Sequence, residues 1–215
     1  MLFENREHAA RLLAQRLRSH YKNKNPLILG IPRGAVPMAK IIADDLGGEL
    51  DIVLVHKLGY PGQPELAVGA IDEKGNVFAA DYMLEIEAEY LELEKKRQLE
   101  VLRQRRARYT PGRLPIDPHG RMVIVVDDGI ATGSTMTAAL RAIRRQDPKK
   151  LVGAVAVASP MAARAISHEA DAIVCLNVPA DFYAVGQFFK NFSQVTDDDV
   201  VAILRQHEAQ IAAVG

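Results

Sequence analysis

The sequence has little of the material that disulfide frameworks, metal clusters and membrane spans require. Its 215 residues include one cysteine, Cys175, and no run of about 18 consecutive apolar residues. A disulfide or a cysteine-based zinc cluster within the chain needs at least two cysteines, so both are excluded. The N-terminal stretch is charged and amphipathic, unlike a secretory signal. We therefore expect a soluble protein of the reducing cytoplasm with no membrane partner.

The chain also lacks an excess of charge of either sign. Lysine plus arginine and aspartate plus glutamate number 27 each, so the formal charges cancel. Binding to nucleic acid regardless of base sequence depends on a basic field, and the chain as a whole has none. A nucleic-acid partner is therefore not expected without a local patch. The length and the 48% hydrophobic content suit one buried core, and we interpret residues 1–215 as a single domain.

What the sequence does contain is an alternation of short apolar runs and stretches with helical spacing. The apolar runs predict strands at residues 27–31, 52–55, 123–126, 151–158 and 172–176. Helical spacing predicts an opening helix that ends near residues 20–25, then helices at residues 36–46, 134–146 and 161–169. The alternation indicates an α/β fold in which helices flank a mostly parallel sheet. A site is then expected at the carboxyl ends of the strands.

The region between the second and third predicted strands departs from this alternation. Residues 58–66 contain two glycines and two prolines, so we predict an irregular, mobile loop there. Residues 67–71 and 77–79 flank a turn that contains Gly75, and they are predicted to form a hairpin. One long helix is predicted at residues 82–108, because glutamates precede arginines along it as the helix dipole favours.

The predicted long helix has an apolar face and a basic end. Its leucines at positions 84, 91, 99 and 102 share one narrow face, which packs either on the domain or on a partner. If that face is exposed it favours a homodimer. The candidate patch for nucleic acid is the basic end with the arginine after it, namely Arg103, Arg105, Arg106, Arg108 and Arg113. Glutamates earlier in the helix balance this charge.

The strongest chemical signal is the thirteen-residue stretch VIVVDDGIATGST, residues 123–135. It joins a buried strand to a turn of small and hydroxyl-bearing residues that opens a helix. The amides of residues 130–135 are expected to converge on a phosphate, helped by the positive end of that helix. The hydroxyl groups expected to join them are those of Thr132, Ser134 and Thr135. Gly133 permits close approach of the phosphate to the backbone.

Two adjacent carboxylates, Asp127 and Asp128, lie at the carboxyl end of the strand within this stretch. Carboxylates in that position can accept hydrogen bonds from a ribose diol or hold Mg²⁺. The alternative is an ordinary strand-to-helix turn in which one aspartate caps the helix. The complete thirteen-residue pattern favours the ligand site.

This stretch resembles the defining motif of the type I phosphoribosyltransferases, in which four apolar and two acidic residues precede a small-residue loop ending in T-G-G/S-T. A nucleoside-triphosphate P-loop would need a lysine where Ser134 stands. The resemblance implies an enzyme that uses 5-phosphoribosyl-1-pyrophosphate and Mg²⁺ to transfer the phosphoribosyl group to a nitrogenous base, releasing pyrophosphate. It implies that Asp127 and Asp128 act in catalysis and hold the metal. The loop residues that it assigns to the phosphoribosyl group are Gly129, Ile130, Ala131, Thr132, Gly133, Ser134 and Thr135.

The resemblance extends to an early loop, residues 30–35. In the family a loop at this place holds pyrophosphate through backbone amides, which implies a binding role for Pro32, Arg33 and Gly34. Arg33 would also supply catalytic charge. The family often keeps a non-proline cis peptide in this loop, which implies one at Pro32–Arg33 or Arg33–Gly34. The alternative is a plain turn.

Residues 58–66 stand where the family has a flexible lid over the reaction centre. Lys57, at the entrance of that segment, would then contact pyrophosphate as a point charge during catalysis. The alternative for Lys57 is an ordinary solvated lysine at a strand end.

Residues 177–196 resemble the family's hood segment. The resemblance implies that the ring of Tyr183 stacks on the accepting base. The phenylalanines at positions 182, 188 and 189 equally fit core packing, which is the commoner role of clustered phenylalanines. Residues 82–108 form an insertion relative to the adenine-type enzymes.

The sequence differs from the hypoxanthine-guanine branch at two positions that bear on the choice of accepting base. That branch has an aspartate in the phosphate loop, where this chain has Ala131, and a lysine at the position of Ala158 or Ser159. We therefore expect hypoxanthine and guanine to be poor acceptors. The pattern is most similar to predicted bacterial phosphoribosyltransferases that have no assigned base.

Two other interpretations remain open at the level of sequence. A protein of this fold can sense phosphoribosyl pyrophosphate or a nucleotide and regulate transcription without turnover, with nearly the same site. In the other interpretation, the long helix is an oligomerisation arm and the ligand site is a relic that no longer functions. The intact Asp127, Asp128 and Thr132 argue against the relic.

Overall fold

The computed structural model describes residues 1–79 and 86–213 of the chain. Its elements in chain order are α1 (Arg6–Tyr21), β1 (Leu27–Gly30), α2 (Val36–Leu46), β2 (Glu49–Ile52), β3 (Val55–Tyr60), β4 (Gln63–Asp72), β5 (Val77–Ala79), α3 (Ala88–Tyr109), β6 (Met122–Ile130), α4 (Ser134–Arg144), β7 (Lys150–Ala158), α5 (Pro160–Ile166), β8 (Ala172–Asn177), a 3₁₀ turn (Val185–Phe188) and α6 (Asp197–Ala212). None of the helices in these ranges is both long and apolar enough to cross a membrane.

The main sheet has five parallel strands in the order β2-β1-β6-β7-β8, which confirms the predicted α/β fold. Its strands are nearly continuous apolar runs because both faces are covered. Ile28, Ile124 and Val152 pack in one core with α1 and α2, whereas Leu29 and Val125 pack in a second core with α4 and α5. Gly30 pairs with the last residue of β2 and with Val126 of β6, so the carboxyl ends of these strands meet.

A smaller antiparallel sheet, in the order β3-β4-β5, corrects two predictions. The strand predicted at residues 52–55 is wrong, because Ile52 ends β2 and Val55 begins β3 in the other sheet. The irregular loop predicted at residues 58–66 is wrong too, since these residues include the end of β3, the turn and the start of β4. Gly59 pairs with Ala67 but Tyr60 pairs with Gln63, so residues 64–66 lie in a bulge. Proline at position 64 is tolerated there because it has no partner on β3.

The predicted hairpin at residues 67–71 and 77–79 is confirmed by the pairing of β4 with β5. The long helix begins at Ala88 rather than at position 82. Residues 86 and 87 precede it, and residues 80–85 lie outside the described ranges. Leu102 is fully buried, and Leu91 and Leu99 are partly buried against the core. The described part of the apolar face therefore packs on its own domain, and it gives the predicted homodimer no support.

The last helix, α6, was not predicted from the sequence. Thr196 caps it by accepting a hydrogen bond from the amide of Asp199, whose carboxylate accepts from Thr196 in return. Such a reciprocal cap is a recognisable start signal. Val200 and Leu204 are buried on the inner face, and the Nε2 atom of His207 accepts from the amide of Leu50 at 3.0 Å.

Candidate active site

The acidic pair predicted from the sequence lies near the carboxyl end of β6, which continues through both residues to Ile130. The Oδ1 atom of Asp127 accepts a hydrogen bond from the amide of Asp128 at 2.8 Å. Burial, and then the neighbouring carboxylate of Asp128, raise the pKa of Asp127 well above its usual value. Burial also raises the pKa of Asp128. Two carboxylates are thus held close together where water solvates them poorly, a situation typical of functional sites.

Arg6 is the partner of Asp128, and sequence reasoning missed it. Its Nε atom donates to the Oδ2 atom of Asp128 at 2.8 Å, and both side chains are 13% exposed. The guanidinium also donates to the carbonyl of Ser193 at 2.7 Å and lies 3.8 Å from the centroid of the Phe192 ring. The contact with Arg6 lowers the pKa of Asp128 and so partly opposes burial. No local signal could reveal a pair that is 122 residues apart in sequence.

The predicted phosphate loop follows β6 and leads into α4. Gly133 has φ of +81°, which favours glycine, and a Cβ there would lie 3.4 Å from the Cα atom of Ala162. The hydroxyl of Ser159 donates to the carbonyl of Ala131 at 2.6 Å and accepts from the amide of Ala162 at 3.0 Å. The start of α5 therefore supports the loop from behind.

The front of this loop is available to an anion. The N-cap of α4 is Gly133, which has no side chain to cap the helix, and the amides of a first helical turn have no partner within the helix. The amide of Ser134 donates to the hydroxyl of Thr132 at a long 3.4 Å. The exposed hydroxyls of Thr132 and Ser134 lie 3.1 Å apart, and Thr135 is half-buried beside them. Helix-start amides, two adjacent hydroxyls and the positive end of a helix are the features that bind phosphate.

The early loop, residues 30–35, lies directly against the acidic pair. The Pro32–Arg33 peptide is cis, as the family resemblance implied. A Cβ atom at Gly34 would overlap the carboxylate of Asp128, so only glycine fits at this distance. The guanidinium of Arg33 lies 3.6 Å from the carboxylate of Asp197, at the start of α6. Arg33 is thus held beside the site, with 45% of its side chain exposed.

A cavity of about 280 Å³ is lined by Lys57, Thr132, Ser134 and Thr135 among others. Two larger cavities also open around these segments. The C-terminal cavity is about 440 Å³ and is lined by Arg6, Arg33, Gly34, Asp128 and Phe192 among others. The α3 cavity is about 450 Å³ and lies between the early loop and α3. Its lining includes Pro32, Tyr90, Lys57, Arg105 and Thr135. The structure thus places the predicted Pro32, Arg33, Gly34, Lys57, Asp128 and Thr135 around two adjoining spaces.

The predicted hood residue Tyr183 is not brought to any of these cavities. Its side chain is 88% exposed, and its amide donates to the Oε1 atom of Gln187 at 2.8 Å. Phe188 and Phe189 are buried, which agrees with core packing. The aromatic ring of this segment that does line a cavity is Phe192, which the sequence interpretation did not select.

The basic cluster predicted around the end of α3 is largely neutralised. Arg106 donates to Asp51 at 2.9 Å and to Glu73 at 2.6 Å. Arg108 pairs with the acidic start of α6, and Arg113 pairs with Asp51 at 2.9 Å. Within the described ranges, Arg103 and Arg105 remain without a carboxylate partner, too few for a nucleic-acid surface.

The acidic pair has the chemistry of a partial Mg²⁺ shell. No group of three or more histidine, cysteine, aspartate or glutamate side chains that could hold a metal occurs in the part of the chain that the structure describes. Mg²⁺ commonly binds one or two carboxylates and completes its shell with water and substrate phosphates. Asp127 and Asp128 fit an ion that is shared with a phosphorylated substrate, and they do not form an all-protein cage.

Comparisons with known proteins identify the family of the chain. The sequence matches the phosphoribosyl transferase domain family over residues 1–190. A Mycobacterium tuberculosis protein that is provisionally named a phosphoribosyl transferase is 41% identical over 217 aligned residues. That alignment covers 100% of this chain and 49% of the relative, so the chain spans about half the length of the curated relatives it matches.

Solved structures give the same result for the fold. A crystal structure of a Thermus thermophilus protein has a TM-score of 0.86 at 46% identity, and the match covers 96% of this chain and 99% of that one. A purine phosphoribosyltransferase from Pyrococcus horikoshii has a TM-score of 0.50 at 17% identity, with 89% and 91% covered. This second likeness concerns the fold alone.

Proposed function

The chain belongs to the phosphoribosyl transferase domain family, and we propose that it transfers the phosphoribosyl group of 5-phosphoribosyl-1-pyrophosphate to a nitrogenous base with release of pyrophosphate. The observation that carries this proposal is the continuity of β6 with α4. A poorly solvated acidic pair is followed within a few residues by a helix start with two exposed hydroxyls and a glycine at its N-cap. The carboxylates suit a ribose diol, and the helix start suits a phosphate.

The phosphoribosyl group is bound at both of its polar ends. Thr132, Ser134 and the first amides of α4 hold the 5-phosphate, and the carboxylates of Asp127 and Asp128 accept hydrogen bonds from the ribose hydroxyls. Fixing both ends of the sugar leaves C1 in a defined position. Positioning of this kind accounts for a large part of the rate of reactions that need no covalent intermediate.

The pyrophosphate end is bound by the early loop, with Arg33 and Lys57 nearby. As the bond between C1 and the pyrophosphate oxygen breaks, its electron pair stays on that oxygen. A ring nitrogen of the base forms the new bond to C1, and the base releases one proton to solvent. The departing group gains negative charge while the ribose gains oxocarbenium character. Cations at the early loop stabilise the first change, and the acidic pair stabilises the second.

Mg²⁺ is the cofactor that we propose for this site, held by Asp127 and Asp128. When bound it supplies positive charge that offsets the charge of the pyrophosphate. The chain's own part is to keep the two carboxylates adjacent and oriented. Arg6 orients Asp128, because its Nε atom donates to one carboxylate oxygen.

The accepting base is restricted by what the loop lacks. Ala131 carries no group that could manage a ring-nitrogen proton. Ser159 is 8% exposed, and its hydroxyl is used by the carbonyl of Ala131, so it is not a free donor to an exocyclic oxygen. A site without these groups discriminates poorly in favour of a 6-oxopurine. We therefore expect hypoxanthine and guanine to be poor acceptors.

A sensor that binds phosphoribosyl pyrophosphate without turnover is the second candidate. The exposure of Tyr183 favours it, because the ring expected to stack on an acceptor lies outside these cavities. The neutralised arginines around α3 argue against a regulator that grips nucleic acid directly. Pyrophosphate release with a panel of bases separates the candidates, since a sensor releases none.

Ligand-induced stabilisation tests the proposed site. Phosphoribosyl pyrophosphate with Mg²⁺ should raise the melting temperature, by the equivalent of about 2.7 kcal/mol at a hundred times its Kd. Ribose 5-phosphate should act more weakly. The double change Asp127→Asn and Asp128→Asn should abolish the shift, whereas Asp198→Asn, at a side chain that is 91% exposed, should preserve it. An undiminished shift in the double variant would remove the site assignment.

A further inference from the structure

The α3 cavity has a wall that the proposed function has not used. One side is the early loop at Pro32, and Thr135 of α4 and Lys57 of β3 stand at its edge. The opposite wall is a face of α3 that carries Tyr90, Glu94, Arg97, Gln98 and Arg105. The residues of that face recur at intervals of three, four and seven, so they form one stripe along the helix. A long helix therefore borders the segment assigned to pyrophosphate.

The charges around this cavity do not cancel. Glu94 is the one carboxylate among the lining residues of the described chain, and it is only 11% exposed. Gln98 donates to Glu94 at 2.7 Å and Arg97 lies 3.8 Å from it, so this carboxylate is already occupied. Lys57 and Arg105 have no carboxylate within 4.0 Å in the described ranges. The cavity therefore presents excess positive charge next to the early loop.

Arg105 is placed by anchored neighbours. The adjacent Arg106 is fixed by Asp51 and Glu73, and Leu102, one turn earlier, is fully buried. At the other end of the face the hydroxyl of Tyr90 donates to the carbonyl of Gly59 at 3.1 Å. The helix is therefore held on both sides of the cavity. Arg105 itself is exposed and lines the cavity, so its guanidinium can reach an anion there from a helix whose backbone is fixed.

We propose that Arg105 binds the diphosphate group of the substrate, so that α3 forms one wall of the pyrophosphate subsite. The proposal rests on the proposed function, because that function brings a diphosphate to the early loop. A guanidinium matches phosphate oxygens through two parallel N–H donors. The role fits the correction at residues 58–66, where a β-hairpin stands in place of the predicted irregular loop. Cations carried by regular elements, α3 and β3, then hold the departing group.

Calorimetric binding of inorganic pyrophosphate in a buffer with MgCl₂ tests Arg105 without a turnover assay. The change Arg105→Gln should weaken pyrophosphate binding by about 10- to 100-fold, the usual effect of losing a charge-assisted contact. The matched control is Arg103→Gln, an exposed arginine of the same helix that does not line the cavity. It should change the affinity less than about twofold, since only general electrostatics is altered. Arg105→Lys should recover part of the loss.

The outcomes separate this proposal from the proposed function. If the variants at positions 105 and 103 bind pyrophosphate equally well, or if the unchanged protein does not bind it, the α3 subsite is wrong. The proposed function still stands if phosphoribosyl pyrophosphate raises the melting temperature through Asp127 and Asp128. Loss of that shift in the Asn variants, together with selective loss of pyrophosphate affinity in Arg105→Gln, supports both. Circular dichroism and an unchanged melting temperature without ligand should show that both arginine variants fold.

Discussion

Two groups of charged residues in this molecule differ in how completely their charges are paired. In the Asp51 cluster, the carboxylate of Asp51 is 1% exposed and accepts from Arg106 and Arg113, each at 2.9 Å. It also accepts from the amides of Ile52 and Ile116. In the ligand cluster, formed by Lys57, Arg105, Asp127 and Asp128, the partners supplied by the described chain are few, with Arg6 on Asp128 the main one.

The difference shows how one chain uses the same residue types for structure and for binding. In the Asp51 cluster the buried carboxylate is met by two guanidinium groups and by two amide donors, so the cluster joins β2, α3 and the segment that follows α3. In the ligand cluster burial is only partly compensated, and the pKa of Asp127 is raised. Uncompensated charge in a cavity costs stability and is retained where a ligand completes it.

Breaking the Asp51 cluster should have the largest effect on stability. The change Asp51→Asn removes the charge that two arginines share, although Arg106 keeps its contact with Glu73. Removing one partner from a buried ion pair typically lowers the free energy of unfolding by about 3–5 kcal/mol. Urea denaturation monitored by circular dichroism should show this as a lower midpoint with an unchanged slope.

Asp45→Asn is the matched control for that change. Asp45 pairs with Arg18 on the surface, where 54% of the arginine side chain is exposed. The same substitution there should lower the free energy of unfolding by no more than about 1 kcal/mol. If the two variants lost equal free energy of unfolding, Asp51 would contribute no more than a surface ion pair does. The two clusters would then not differ in the way described.

The two clusters also differ in how far sequence could foresee them. The acidic pair and the phosphate loop were found because thirteen consecutive residues carry both. The parallel sheet was found because its strands are apolar on both faces. Arg6 and the pairing of Asp51 were missed, since both depend on contacts between distant parts of the chain. Arg105 was named only as part of a basic patch for nucleic acid, and its place beside the α3 cavity could not be read from the sequence.

The mistaken segments have specific physical causes. Glycine and proline at positions 59–64 predicted an irregular loop, but a register shift in β4 removes the need for an amide at the proline. The apolar run at residues 52–55 joined the end of one strand to the start of another, because residues 52–54 are buried and Val55 is partly buried. The reciprocal cap of Thr196 with Asp199 was a readable signal for α6 that the pattern search overlooked.

Adding a methyl group at Gly34 should have an intermediate effect on stability, and it sharpens the comparison because it acts on the ligand cluster. A Cβ there would overlap the carboxylate of Asp128, which must turn away from Arg6 to make room. Overpacking of this kind costs about 1–3 kcal/mol. Because the displaced group belongs to the ligand cluster, Gly34→Ala should also lose most of the melting shift caused by phosphoribosyl pyrophosphate with Mg²⁺.

Gly153→Ala provides the control for the methyl group itself. A Cβ at Gly153 would lie 2.7 Å from the Cδ1 atom of Ile173, in the core beneath α4 and away from the acidic pair. It should lower stability by a similar amount and leave the ligand-induced shift intact. If Gly34→Ala kept the full shift, the early loop would not need to lie against Asp128 for binding.

The pH dependence of stability should give the smallest effect and should belong to the Asp51 side of the comparison. His207 accepts from the amide of Leu50, the residue before Asp51, and the ring is buried. Burial lowers the pKa of His207 below 6.5, while Asp44, whose carboxylate is 3.4 Å from Nδ1, partly opposes the shift and Lys40 adds to it. The folded protein therefore prefers the neutral ring.

The sign of this effect follows from proton uptake. As the pH falls below about 6.5, the unfolded chain binds a proton at this histidine that the folded chain resists, so the free energy of unfolding decreases. One such group contributes at most about 1.4 kcal/mol per pH unit.

His207→Gln should remove this contribution, so that the variant loses less stability between pH 7.5 and pH 5.5 than the unchanged protein does. His168→Gln, at an exposed position, should leave the loss unchanged. Urea midpoints at the two pH values measure the difference, and identical losses in all three proteins would mean that protonation of the buried ring is not coupled to folding.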